Sequence, residues 1–512
     1  MPAFSIFDVV RWIGLMRYSM RLCLLLFTFV GGVTAWPQQS FDLDTTFRTE
    51  IDTYYVNSIY PLPDGKIFVS GQIRVPTDPI GVLRGSVKLL PDGSRDPDFP
   101  SFPQTTGGGR IVPWMEDHMY VQSSHTVRRL TIDGLVDPSF ISMNLGSYFV
   151  SLQGGDYHVY PDGRILMSGV HNLHDSIRGF EGLHCLIWFS DQGYLDTTKT
   201  HRTCAGSLNT LQELPDGKFI GSLGNPPNSA AWDGQPTGSN IIRFHADGKL
   251  DTTFQANVWW GEAYGFLPMQ DGRIHAVGRF QVEGIQDTLL IVRFLQDGSL
   301  DPGFNNHLDL RITEMTGFAQ GAIARSIQPL GDDRLVVTGQ FELVEGLPIR
   351  NICLIDTSGY VADEYFTGPG CGNFTYQGLT RSTISGIMPG IDGNWYIWGA
   401  YHGYDDGTTN DTLQRMISRL YGFDVSIGEH HSTATINVFP NPGDEQITID
   451  LDVPNSGSIS VQVYSSLGEA VLDRRVRQLP VTLNTKEFPS GLYTILMETS
   501  DRSKYQTKWI KE

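Results

Sequence analysis

Short apolar runs bounded by turn residues recur along most of the chain. IFVSG from Ile67, ILMSG from Ile165, IHAVG from Ile274 and LVVTG from Leu335 are each introduced by a four-residue turn: LPDG at Leu62, YPDG at Tyr160, MQDG at Met269 and LGDD at Leu330. Further members stand at Leu214 and at Gly390, and a weak one around Trp114 to Val121 makes seven such hairpins. Pro-Asp-Gly suits a hairpin because Pro presets the second turn position and Gly takes the left-handed backbone that closes it. A second hairpin follows in six of them, at Asp92-Gly93, Asp133-Gly134, Asp247-Gly248 and Asp297-Gly298, with Gln192-Gly193 and Ser358-Gly359 as variants. Each unit is therefore read as about four short strands.

An Asp-x-x-Phe string ends the units, at Asp44 to Phe47, Asp96 to Phe99, Asp137 to Phe140, Asp251 to Phe254, Asp301 to Phe304 and Asp363 to Phe366, with a degraded copy from Asp196 to Lys199. Successive Asp positions lie 52, 41, 59, 55, 50 and 62 residues apart. Four strands at a period near 50 predict propeller blades, because one blade cannot bury both faces and closing the ring supplies a neighbour for each. The expected fold is all-β: a seven-bladed β-propeller followed by a small Ig-like β-sandwich. The first ending, FDLDTTF at Phe41, has no unit before it, and the last unit stops at QRMISRLYGF without one. The N-terminal piece is thus expected to complete the last blade. Gly71, Gly169, Gly278, Gly339 and Gly399, at like places in the second strands, are read as points of close backbone approach near the axis.

Composition fits this reading, with 512 residues, 56 Gly, 28 Pro and only 18% charged residues. The net charge of -19 carries no basic stripe and argues against a nucleic-acid partner. Arg17 and Arg21, the apolar run from Leu22 to Val33 and the small residues Val33-Thr34-Ala35 read as a signal peptide over residues 1-35, with Met16 or Met20 as alternative starts. No second apolar stretch long enough to span a bilayer follows, so no transmembrane helix is expected in the mature chain. Cys23 leaves with the signal. Of the four remaining cysteines, which allow three pairings, Cys185 with Cys204 and Cys353 with Cys371 occupy equivalent repeat positions and are the expected disulfides of an exported chain.

The RFHADGKLDTTF string at Arg243 and RFLQDGSLDPGF at Arg293 resemble the delta-60 repeats of bacterial exported proteins, over about Phe41 to Phe423. The boundaries expected are 36-425 for the propeller, 426-435 for a polar linker and 436-512 for a second domain of alternating strands. Within that tail Phe439-Pro440-Asn441-Pro442, Ser466-Leu467-Gly468-Glu469, Gly491-Leu492-Tyr493, Lys508 and Lys511 resemble the C-terminal sorting domain of type IX secretion cargo in Bacteroidota. That resemblance implies transfer by the secretion machinery, cleavage near the linker by its sortase-like peptidase, and either release or attachment to surface lipopolysaccharide.

Candidates for chemistry are few. His171, His174, Asp175 and His184 cluster in sequence and are candidate metal ligands; the oxygen-rich stretch from Tyr404 to Asp411 is a candidate calcium loop without EF-hand spacing. Trp259, Trp260, Trp395, Tyr396 and Trp398 are candidates to stack on sugars or to pack the core. No nucleophile elbow, phosphate loop or His-Glu-x-x-His string is present. The expectation is a binding or structural module for a polysaccharide or protein ligand, with no assigned catalytic residue, metal or cofactor. The alternative is a secreted propeller enzyme acting on polysaccharide or a lactone.

Overall fold

The structure is a computed structural model that describes residues 39–423 and 436–512, apart from 80, 100–106, 124, 142, 144–148, 178, 225–227, 314–320, 332, 363, 377–378, 452–458, 466–469, 477–478 and 499–503. The expected signal segment with Cys23, the linker, Asp363 and Gly468 lie outside the described residues.

Among the described residues seven antiparallel sheets follow one another, each with three strands in chain order, and in the seventh Gly370–Cys371 adds a fourth strand on the second. Blade one is Thr53–Pro61, Ile67–Arg74 and Arg84–Leu89; blade two is Gly108–Trp114, His118–Ser123 and Thr126–Thr131. Blade three is Phe149–Val159, Ile165–Asp175 and Phe180–Phe189; blade four is Ser207–Glu213, Phe219–Gly224 and Ile241–Phe244. Blade five is Val258–Pro268, Ile274–Val282 and Leu289–Phe294; blade six is Ile323–Leu330, Arg334–Gln340 and Ile352–Asp356. Blade seven is Thr383–Pro389, Trp395–Asp405 and Asn410–Leu420.

A fourth edge is made by the residues after the second turn, which touch the third strand through single bridges such as Phe244 to Leu250 and Phe294 to Leu300. In blade seven that place is taken by the N-terminal piece. Leu43 bridges Leu420, the Phe41 N–H donates to Tyr421 O at 2.8 Å, and the Asp44 N–H donates to Arg419 O at 2.9 Å. The ring is closed by the start of the chain pairing with its last propeller strand.

The Asp-x-x-Phe string works as a clasp between blades. The Asp251 carboxylate accepts the Thr253 N–H at 3.0 Å and its hydroxyl at 2.6 Å, and the Phe254 N–H closes the turn on Asp251 O at 3.3 Å. Arg243, eight residues earlier, donates to Asp251 at 2.8 Å, stacks on Phe254 at 4.9 Å and reaches Gln296 O of the next blade at 2.8 Å. Arg129 does the same with Asp137, Phe140 and Asp191 O; Arg293 does so with Asp301, Phe304 and Thr357 O. At the closure Arg419 holds Asp44 at 2.7 Å, stacks on Phe47 at 5.2 Å and donates to Pro91 O of blade one at 2.8 Å. The recurrence of twelve similar residues is thus the recurrence of one joint.

The tail has two sheets, Ile436–Phe439, Gln446–Leu451 and Val481–Asn484 in one, and Ala470–Val476, Ile459–Ser465, Gly491–Glu498 and Lys504–Lys511 in the other. Ile447, Ile449, Val461, Val463, Ile495 and Trp509 from both sheets share one core. Among the described residues no helix is long and apolar enough to cross a membrane.

Candidate functional site on the propeller axis

The first strand of each blade packs beside the first strand of its neighbours, which in a ring of splayed sheets places it nearest the axis. Each of these strands carries a β-bulge, an extra residue whose side chain is re-aimed out of the regular alternation. The extra residue is Asn57, Asn209, Tyr264, Arg325 and Ser385 in blades one, four, five, six and seven, and in blades two and three the pairs Gly109-Arg110 and Gly155-Asp156 stand opposite one residue. The second-strand glycines expected near the axis lie opposite these bulges: a Cβ on Gly278 would stand 2.1 Å from Glu262 O, and one on Gly339 would stand 2.1 Å from Ile323 O.

Around the axis the bulges link one blade to the next. Asn57 donates to Gly108 O; Arg110 pairs with Asp156 at 2.6 Å; Asp156 also accepts the Tyr157 N–H at 2.8 Å. Asn209 donates to Glu262 at 2.7 Å, Arg325 lies 5.3 Å from the centre of the Tyr264 ring, and Trp398 donates to Asn57 O at 3.0 Å. Asp156 holds the Arg110 guanidinium charged more firmly than usual. The Tyr264 phenol is pushed up to about 12 by burial, with Glu262 adding to the shift and Arg325 and Arg279 opposing it. Arg279 sits opposite Glu262 in strand register and 5.9 Å from the Trp260 ring centre. Trp260, Glu262, Tyr264, Arg279 and Arg325, all half-buried, therefore gather with Asn209 where blades four, five and six meet.

The candidates read from sequence fare unequally. Trp395 packs on Phe41, Tyr396 is buried against Phe47, and Trp398 is tied to Asn57, so all three serve ring closure; Trp260 belongs to the axial group. In the Tyr404–Asp411 loop, Asp405 accepts the Gly407 N–H, Asp406 the Thr408, Thr409 and Leu43 N–H groups, and Asp411 the Leu413 N–H and Arg48. These carboxylates shape a turn beside the closing strand. His171 is buried on Ser151 Oγ at 3.1 Å, His184 meets His201, His174 is exposed and Asp175 is buried. Among the described residues no group of three His, Cys, Asp or Glu has metal-site geometry.

All four described cysteines are free thiols. Cys185 and Cys204 are in side-chain hydrogen-bond contact. Cys353 packs with Ile355 and Val337 in one core, whereas Cys371 packs with Ile352 and Leu354 in another, on the opposite face of blade six. In the tail, Asn441 donates to Lys508 O at 2.9 Å and accepts the Ile510 N–H at 3.0 Å, while Trp509 donates to Pro440 O at 3.2 Å. Pro440-Asn441-Pro442 thus latches the last strand. Lys511 is buried on Asp444 and Lys508 is exposed; Tyr493 donates to Pro489 O at 2.7 Å, and Gly491 begins its strand.

Residues 437–512 match the secretion system C-terminal sorting domain family. The tail is a type IX sorting domain. Residues 229–254 and 270–304, which include the Arg243 and Arg293 clasps, match the DUF5122 β-propeller domain, a domain of unknown function. The chain is accordingly a secreted or cell-surface propeller protein that engages the secretion machinery through its tail. It is 35% identical over 78 residues to ulvan lyase NLR42 of Nonlabens ulvanivorans, a stretch covering 15% of this chain and 14% of that enzyme. The matched length is close to that of the sorting domain alone. The extracellular domain of a hybrid two-component system of B. thetaiotaomicron is 9% identical, with a TM-score of 0.42, over 93% of this chain and 60% of that one. A Bacteroides caccae protein is 11% identical, with a TM-score of 0.29, over 49% of this chain and 81% of that one.

Proposed function

We propose that this exported propeller is a ligand-binding module, carried to the outside by its sorting domain, with the ligand held at the axial bulges. The observation that carries the reading is the bulge ring itself: the bulges carry Asn57, Arg110, Asp156, Asn209, Tyr264, Arg325 and Ser385, a set that changes from blade to blade where the clasps preserve the repeat. A joint needs the same residues in every blade, whereas recognition of an asymmetric ligand needs different ones. The two axial carboxylates, Asp156 and Glu262, are engaged by Arg110 and Asn209, which favours holding a ligand over protonating one.

On this reading residues 1-35 are removed as a signal, 36-425 form the binding domain, and the tail from 436 is cut off near the 426-435 linker before release or lipopolysaccharide attachment. Cys185 and Cys204, already in contact, are proposed to close as a disulfide outside the cell. The test is to recover the mature protein from medium and cell surface, measure its mass, and screen it for polysaccharide binding and turnover with and without calcium. Retention without released oligosaccharide, on a chain ending before Ile436, is the expected result. Released oligosaccharide would replace the module with a secreted glycan-cleaving enzyme, and an intact tail on the mature chain would refute processing.

A further inference from the structure

Two guanidiniums on the axis differ from the other axial and clasp arginines. The clasp arginines rest on aspartates, and Arg110 is balanced by Asp156. Arg279 and Arg325 have no carboxylate within 4.0 Å among the described residues, and the Nε of each is buried with no hydrogen-bond partner there. Even Glu262, opposite Arg279 in register, gives its carboxylate to Asn209. Burying a guanidinium edge unpaired costs stability, so a chain of net charge -19, whose aspartates pair Arg110 and the clasp arginines, would be expected to supply a partner unless the partner comes from outside.

The chemistry of the six side chains narrows that partner. Two planar forks near one another suit an oxyanion with several acceptor oxygens, a carboxylate or a sulfate. Asn209 and Glu262 offer an amide and an acceptor for hydroxyl groups, and Trp260 and Tyr264 offer ring surface for the apolar face of a sugar. We propose that the group formed by Asn209, Trp260, Glu262, Tyr264, Arg279 and Arg325 binds an acidic saccharide, with its anionic substituent on the two arginines and its hydroxyls on Asn209 and Glu262. This rests on the binding-module reading and adds the class of ligand.

The test is calorimetric titration of the full mature chain with polygalacturonate, dextran sulfate and unsubstituted dextran. Polygalacturonate or dextran sulfate is expected to bind, the one that does so telling carboxylate from sulfate, and dextran is not. Arg279→Gln combined with Arg325→Gln is expected to weaken binding by about tenfold or more at an unchanged melting temperature. Arg325→Lys, which keeps the charge and loses the fork, should give an intermediate loss, and serves if the double variant does not fold. Arg164→Gln, in an exposed pair with Asp162 away from this group, should change nothing. Dextran binding as well as the acidic polymers, or acidic-polymer binding that survives the arginine substitutions, would overturn the inference and leave the module intact. Binding of none of the three would overturn both.

Discussion

The histidines give the residue scale its measurable consequence. His171, His201 and His275 are buried, and burial holds each at about 4 instead of near 6.5. Above pH 6.5 they are neutral folded and unfolded and contribute nothing to the pH dependence. Below it the unfolded chain takes up protons first, so stability falls between pH 6.5 and 4, by up to about 1.4 kcal/mol per pH unit for each histidine. The clasp carboxylates Asp137 and Asp301 are held low by hydrogen bonds and arginine against the opposing effect of burial; their contribution is present above the ordinary carboxylate range and is lost as pH falls below it. The melting temperature should accordingly decline from pH 6.5 downward, and His275→Phe should flatten the decline; a flat profile to pH 4 would contradict the burial argument. Sequence drew attention to His171, His174 and His184 because they are neighbours in the chain. It gave no sign of His201, which joins them from beyond the next turn, and no way to see that His174 points outward.

At the scale of the element, turns were legible and bulges were not. Asp-Gly pairs declare hairpins because few residues tolerate the backbone they need, and Gly65, Gly163 and Gly272 have φ of 82°, 85° and 83° as that chemistry requires. A bulge inserts one residue and shifts the alternation, and no residue type is obligatory there, so Asn57, Tyr264 and Arg325 carried no signal. The glycines opposite them did, since Gly71, Gly278 and Gly339 stand where a Cβ would meet the backbone of the first strand. The closing strand was also legible, since Phe41 to Phe47 repeats an ending that the last blade lacks. Deleting Phe41 to Phe47 removes Asp44 from Arg419 and Phe47 from the core it shares with Tyr396 and Ile417. The melting temperature is expected to drop by ten degrees or more, on the order expected from losing a buried ion pair and an aromatic core residue together; an unchanged value would contradict closure.

For the whole molecule, repeat logic succeeded where the repeat is a joint and weakened where single residues were compared across blades. The clasp explains why RFHADGKLDTTF and RFLQDGSLDPGF are alike, and the sorting motif was readable as a short contiguous string in which Pro440 and Asn441 bond to the last strand. The cysteine equivalence did not carry through in the same way: Cys185 meets Cys204, but strand alternation sends Cys353 and Cys371 into separate cores. With the ligand placed at the axial bulges, hydrogen–deuterium exchange of the mature chain with and without a bound acidic polysaccharide reads its position. Protection is predicted in the first strands of blades four to six, Ser207–Glu213, Val258–Pro268 and Ile323–Leu330. Protection confined to the outer edges of the blades, with these strands unchanged, would contradict it.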